Sequence, residues 1–424
     1  MTPLSQTSSD RSSTTSLDRA KQLATTLLSE RSQASGAKAA RLLHELLGTL
    51  DAGDRHAFQH YLATEFQPDG AALRSAAQRY LADGTAEAAA ALARAADPPR
   101  QELLRRINMA PGGISALIAM RSEIASCLRA EPDLKLLDAD LKHLFASWFN
   151  RGFIELRRID WQTPAAVLEK LIAYEAVHEI RGWDDLRRRL APDRRCFGFF
   201  HPALPGEPLI FVEVALVQGL ATAVQPLLSQ DTNETAARER AARADTAIFY
   251  SISNCQDGLR GVAFGNFLIK QVVEELKAEF PQLKRFSTLS PVPGFRQWLD
   301  KRLANEGDPD AALLPQLESD GWCNDPAQSE KLRVPLLRLC ARYLTRQPSI
   351  RIDPVARFHL GNGARLERIN WLGNTAQRAI QESFGIMVNY LYDHDSIETN
   401  HEAFVRDGTI VHSPDVDALL HSTD

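Results

Sequence analysis

The run Asn254-Cys-Gln-Asp-Gly-Leu-Arg-Gly-Val-Ala-Phe-Gly-Asn266 constrains this chain most, because an apolar strand leads into it and a periodic helix leads out. Upstream, Ala247, Ile248, Phe249, Tyr250 and Ile252 form a short β-rich run. Downstream, Ile269, Val272, Val273, Leu276 and Phe280 fall on one helical face at spacings of three and four. The junction therefore reads as strand, glycine loop, helix. Gly258, Gly261 and Gly265 let the backbone turn sharply and approach a ligand closely. The free amides of the following helical turn, at the positive end of the helix dipole, would bind a phosphate without a metal.

Which phosphate is decided by what the loop lacks. A nucleoside-triphosphate loop needs Lys and then Ser or Thr after its last glycine, whereas Gly265 is followed by Asn266 and Phe267. A dinucleotide fingerprint needs its own glycine spacing and, about twenty residues on, an acidic group at the end of a second parallel strand, and neither is evident. The loop from Arg260 through Gly261, Val262, Ala263, Phe264 and Gly265 to Asn266 instead resembles the acyl-CoA loop of the Gcn5-related acetyltransferase fold. It departs from that pattern at Ala263, where the superfamily usually has Gly.

Length and composition narrow the rest. At 424 residues the chain is long for one core, so two domains are expected. With 54 acidic against 49 basic residues the formal charge is -5, which gives no global field to attract nucleic acid or an anionic membrane. No apolar run approaches a membrane span, and the N-terminus lacks the apolar core of a secretory signal. The Ser/Thr-rich first 36 residues contain Asp10, Asp18 and Glu30, acids that argue against an organelle transit segment and for a cytoplasmic setting. Five scattered cysteines show no paired metal spacing, and Cys255 beside the loop reads as a small buried residue.

From Ala20 to about Phe149 the pattern is helical, with Leu23, Leu27 and Leu28, then Leu42, Leu43, Leu46 and Leu47 on apolar faces, and Pro111-Gly-Gly113 as a break. The character changes at Arg151–Trp161, read as a strand. Helices are expected after Thr163-Pro164 and around Trp183–Leu190, and a hairpin at Arg195–His201 and Leu209–Val217. The glycine loop, its helix and a strand at Arg285–Ser290 follow. This is the order of the acetyltransferase fold, so the expected class is α+β: an all-helical bundle over residues 1–150, then an acetyltransferase-like mixed-sheet domain over 151–424. Polar stretches at Ser229–Asp245 and Asn305–Ser329 read as surface insertions, Ile386–Tyr392 as a late strand, and the segment beyond Asp393 as a polar tail.

Longer motifs point further. Ser287-Thr-Leu-Ser-Pro-Val-Pro-Gly-Phe295, Asp353-Pro-Val-Ala-Arg-Phe-His359-Leu and Arg368-Ile-Asn-Trp-Leu372 resemble the malonyl-CoA decarboxylases, as do Glu175-Ala-Val-His178 and Phe200-His-Pro. The resemblance runs from about Gly152 to Phe404. It implies conversion of malonyl-CoA to acetyl-CoA and carbon dioxide with no cofactor or metal, and a Ser and a His at the site, matched here by Ser290 and His359. It also implies Tyr392 in the same pocket, with Tyr390 as the alternative, and a homo-oligomer, a tetramer by family habit. A CoA-dependent acyltransferase or a non-catalytic acyl-CoA binder on the same fold are the competing functions.

The chemistry asks for few groups. Breaking the carboxylate bond leaves electrons on a thioester enolate, so a site must stabilise an oxyanion, desolvate the carboxylate and deliver a proton to carbon. Ser290, expected just past a strand end, would leave its hydroxyl free of any ladder. His359 lies between a helix cap at Asp353-Pro354 and the glycines Gly361 and Gly363, which favours a short helix over a hairpin turned at Asn362-Gly363. His56 and His60, four apart, suit a metal, but Ala57 stands where a zinc-protease helix has Glu, and the pair reads as a solvated face.

Overall fold

The computed structural model describes residues 15–29, 33–229, 233–262, 267–304, 310, 313–317, 321–346 and 353–421. The chain forms two units: one gathers Met1–Ile154 with His201–Pro205 and Gln256–Phe264, the other Glu155–Phe200, Gly206–Cys255 and Gly265–Asp424.

The first unit is helical, and its helix starts are written in the sequence. Asp51 accepts the amide of Asp54 at 2.8 Å to open Ala52–Glu65, Asp69 caps Gly70–Asp83, and Thr85 caps the alanine-rich Ala86–Ala96. Gly84, at φ +58°, closes the second of these in the left-handed conformation that suits glycine. Leu27, Leu43, Phe58, Leu62, Leu103, Leu104, Ile107, Leu117, Leu141 and Phe145 fill the core. Buried Arg100 pairs with Asp140, whose second oxygen accepts from Gln101 at 2.7 Å.

The second unit holds a mixed sheet in the order β1-β2-β3-β4-β5-β8-β6, with β7 paired to β8. Its strands are β1 (Glu155–Ile159), β2 (Arg194–Phe200), β3 (Pro208–Val217), β4 (Thr246–Asn254), β5 (Arg285–Thr288), β6 (Ser290–Pro291), β7 (Arg365–Asn370) and β8 (Met387–Leu391). Strands β1 to β4 are antiparallel, whereas β4 and β5 run parallel in the register Thr246↔Arg285 to Phe249↔Thr288. A parallel pair needs a crossover, and the helix Phe267–Glu279 lies between these strands. The class is the expected α+β one: an N-terminal helical region followed by a mixed-sheet domain.

Strand β3 is buried almost throughout, as its unbroken apolar run requires. It also carries Glu213, held by Arg189 at 2.7 Å, both wholly buried.

Four local expectations need correction. Arg151–Trp161 is a 3-10 turn at Arg151–Phe153 followed by the five residues of β1. The polar stretch before Asp245 contains the helix Glu234–Arg243, which buries Ala237 and Ala241 and pairs Arg240 with Asp193 at 2.8 Å. The segment beyond Asp393 contains the helices Ile397–Asp407 and Pro414–His421. Strand β7 went unread because a bulge between Leu366 and Arg368 breaks its alternation.

Candidate active site

Ser290 lies just past the end of β5, and its backbone opens the short strand β6, paired with Val388 of β8. Its neighbour Leu289 donates its backbone N–H to Phe249 O at 2.9 Å and packs into an apolar cluster with Ile248, Tyr250 and Met387. Two-fold alternation along the chain then sends the Ser290 hydroxyl away from that cluster. It meets His359: Ser290 Oγ lies 3.0 Å from His359 Nε2, and both residues are buried.

His359 sits in the last turn of the helix Pro354–Gly361, which settles the choice between helix and hairpin. Asp353 opens this helix, one carboxylate oxygen accepting the amides of Val355 (2.9 Å) and Ala356 (3.3 Å). The other oxygen accepts the amide of Gly294 at 2.9 Å. A single carboxylate thus ties the Ser290-Pro-Val-Pro-Gly294 segment to the helix that carries the histidine. A side chain at position 294 would place its Cβ 2.3 Å from Tyr343 Oη and 3.2 Å from Asp353 Oδ2, so the tie requires glycine. Burial raises the Asp353 carboxyl, and the three amides work in the opposite direction.

The second imidazole nitrogen, Nδ1, is 2.8 Å from Tyr392 Oη. Tyr392 follows β8 directly and donates its amide to Phe286 O at 2.8 Å, continuing the pairing with β5. Tyr390 stacks its ring on the imidazole, with centroids 4.8 Å apart at 24°. Of the two tyrosines, Tyr392 therefore supplies the hydroxyl and Tyr390 a flat apolar wall. Asn389, between them, donates to Thr288 O (2.7 Å) and Ala221 O (3.1 Å) and accepts from Asn370 (2.8 Å), fixing β8 against β5 and β7. The sequence reading missed this amide network.

Burial pushes the His359 imidazole down to about 3, and it pushes both tyrosine hydroxyls up. The chain Ser290–His359–Tyr392 is therefore neutral near pH 7, with three protons, one on each residue. Two of them serve the two hydrogen bonds inside the chain. The third, on Ser290 if Nε2 carries the ring proton and on Tyr392 if Nδ1 does, is left for another group. Tyr392 also lines a pocket of about 790 Å³ whose charged walls are mixed, Lys270, Lys277, Lys284 and Arg285 standing beside Glu274, Asp393, Asp395 and Glu398.

The glycine loop is described with the first unit. Gly258 is glycine for a reason other than ligand approach: a Cβ there would lie 2.0 Å from the carbonyl oxygen of Ile118 in the helix Gly113–Cys127. Arg121, from the same helix, donates to Gly258 O at 2.7 Å and Arg260 O at 3.0 Å. The Arg260 side chain is exposed and pairs with Asp257 at 2.9 Å, Gly261 adopts φ +74°, and Val262 is buried. Ala263, Phe264, Gly265 and Asn266 lie outside the described residues. The Cys255 thiol is buried and its ionisation pushed up, as befits packing rather than chemistry.

Comparison with known proteins agrees along most of the chain. The family model for the malonyl-CoA decarboxylase C-terminal domain matches residues 152–424, and that for the N-terminal domain matches residues 66–149. The mitochondrial malonyl-CoA decarboxylase of Anser anser anser is 38% identical over 337 residues, 73% of this chain and 66% of that protein. The Mus musculus enzyme is 38% identical over 325 residues, 70% of this chain and 65% of its own length. The matched part of this chain thus spans just under two thirds of these curated relatives. A crystal structure of malonyl-CoA decarboxylase from Rhodopseudomonas palustris superposes with a TM-score of 0.88 at 49% identity, covering 95% of this chain and 99% of that one. One from Agrobacterium vitis gives 0.87 at 48% identity, covering 95% and 100%. The chain belongs to the malonyl-CoA decarboxylase family.

Proposed function

We propose that the chain is a carboxy-lyase that converts malonyl-CoA to acetyl-CoA and carbon dioxide, with Ser290 and His359 as its catalytic pair and Tyr392 at the same site. The observation that carries this reading is the buried hydrogen-bonded chain Ser290–His359–Tyr392, its serine and histidine drawn from two motifs of a family whose solved members are named for this activity and its tyrosine from the end of β8. In the reaction the bond between the carboxylate carbon and the α-carbon breaks, and carbon dioxide leaves. The electron pair moves onto the thioester as an enolate, and one proton adds to the α-carbon. The spare hydroxyl proton of the chain is the donor for the enolate oxygen. A buried neutral imidazole is a poor acid by itself. The malonyl carboxylate, brought into the same dry site, is the negative charge that raises its proton affinity. His359 accordingly takes up a second proton from solvent when the substrate binds, gives that proton to the α-carbon after carbon dioxide leaves and returns to the neutral imidazole, so no metal or organic cofactor enters a step.

The loop Arg260–Asn266 keeps a separate assignment, capture of the coenzyme A phosphates, with a separate test: Arg260→Ala should raise KM for malonyl-CoA while kcat holds. We also propose a homo-oligomer, a tetramer, in the cytoplasm. Among the described residues no helix is long and apolar enough to cross a membrane.

The deciding experiment is purified protein with malonyl-CoA, no acyl acceptor and a chelator present, followed for carbon dioxide and acetyl-CoA. Equimolar release of both is expected, and Ser290→Ala and His359→Ala should each lower kcat at least about a hundredfold. Malonyl-CoA left intact in that mixture sinks the proposal. Turnover that appears only when an amine acceptor is added makes the protein a transferase.

A further inference from the structure

We infer that the first unit carries a site for a zinc-class divalent transition ion, built from His56, His60 and Glu131 and backed by Asp133. The two histidines lie one turn apart on the helix Ala52–Glu65, and Glu131 and Asp133 flank Pro132 at the turn entering the helix Lys135–Trp148. His56 Nε2 and His60 Nε2 lie 2.7 Å and 2.6 Å from one oxygen, Glu131 Oε2, and 3.2 Å from each other. The pair is thus no open solvated face, as the sequence suggested: both rings are part-buried and directed at a carboxylate that lies 71 residues beyond His60 along the chain.

Three close donors need a positive charge among them. Asp133 Oδ2 lies 2.8 Å from His60 Nδ1 and favours the ring proton there. In the neutral ring that leaves the Nε2 lone pair facing a carboxylate oxygen at 2.6 Å, a repulsive contact. A cation seated where the three donor atoms converge would relieve that contact. The triangle they form has sides of 2.6, 2.7 and 3.2 Å. A point above its plane lies about 2.0–2.1 Å from all three corners, the bond length that zinc makes to imidazole nitrogen and carboxylate oxygen. A carboxylate behind a ligating histidine is also the usual support that fixes ring tautomer and orientation. Two imidazoles select zinc, cobalt, nickel or copper over magnesium and calcium, which prefer all-oxygen ligands. Three ligands on one side leave the fourth position open to water. The bound ion would clip the helix Ala52–Glu65 to the turn at Pro132.

The test uses full-length, tag-free protein, stripped with a chelator and returned to metal-free buffer. Zinc alone is titrated against a chromophoric competing chelator, and cobalt(II) is followed by visible absorption. One ion per chain is expected, with cobalt bands of a four- or five-coordinate site. His56→Asn and His60→Asn should each weaken binding by about a hundredfold or more. Asp133→Asn, which leaves all three ligands in place, should weaken it about 10- to 100-fold. Glu131→Gln and Asp133→Asn change partly exposed side chains and serve if a histidine variant fails to fold. Circular dichroism and unaltered malonyl-CoA turnover establish that the variants are intact. Zinc bound with the same stoichiometry and affinity by the His56→Asn/His60→Asn protein would place the ion on cysteines and overturn the inference. Absence of binding at micromolar zinc overturns it too.

Discussion

Replacing Tyr392 by Phe removes one atom from the buried chain and tests whether the tyrosine acts through the imidazole or merely packs beside it. The ring stays, so pocket shape and apolar burial are conserved, while His359 Nδ1 loses a partner at 2.8 Å in a site closed to water. An unsatisfied polar atom in such a place costs about 1–3 kcal/mol. In the parent protein a Tyr392 hydroxyl donating to Nδ1 holds the ring proton on Nε2, toward Ser290, and turns the Ser290 proton outward to the substrate. Without Oη that order loses its support by the same 1–3 kcal/mol, and tautomers in which Ser290 spends its proton on Nε2 become competitive. Converted through the transition-state relation, kcat should fall about 5- to 150-fold. KM should change little, because no group assigned to ground-state binding is removed. The assay is steady-state release of carbon dioxide from malonyl-CoA. A kcat within twofold of the parent, alongside lowered thermal stability, would refute the reasoning and leave Tyr392 a packing residue. A rise in KM at constant kcat would refute it differently, by making the hydroxyl a ground-state contact.

Three further outcomes are expected. Gly294→Ala forces a Cβ into Tyr343 Oη and Asp353 Oδ2, so it should lower kcat by loosening the cap that seats the His359 helix, while Gly70→Ala, facing open space without a positive φ, serves as a glycine control for thermal unfolding and rate. Arg189→Met leaves Glu213 buried without its cation and should destabilise the fold by about 3–5 kcal/mol, read from urea midpoints; a loss below about 1 kcal/mol would show that the pair is dispensable. His359, held at about 3 when folded, takes up a proton on unfolding anywhere below its ordinary value of about 6.5, so its contribution is present above that pH and is lost progressively as pH falls toward 3. Between pH 6.5 and 5 the parent should lose about 2 kcal/mol more stability than His359→Asn, and equal losses in urea titrations would contradict a neutral buried imidazole.

How much of this could be read in advance follows from which interactions are local. Capping residues announce themselves: Asp51, Asp69, Thr85 and Asp353 each sit one residue before a helix and each accepts its amides. Apolar runs announce themselves too, and β2, β3, β4 and β8 fall close to where hydrophobicity places them. Strand β7 did not, since its bulge destroys the two-residue period, nor did the helix Glu234–Arg243, whose buried face consists of alanines that carry no hydrophobic signal. Ser290, His359 and Tyr392 were named through resemblance; spacing by itself leaves a serine before a proline, a histidine between apolar residues and one of two tyrosines. What no local pattern contains is convergence across the chain. Gly258 looks like a ligand-binding glycine until Ile118 O is found where its side chain would stand. His56 and His60 look like a solvated pair until Glu131 arrives from 71 residues away. In both cases the residue type was read correctly and its partner was not, because periodicity reports which face a residue occupies and says nothing of what the fold brings against that face.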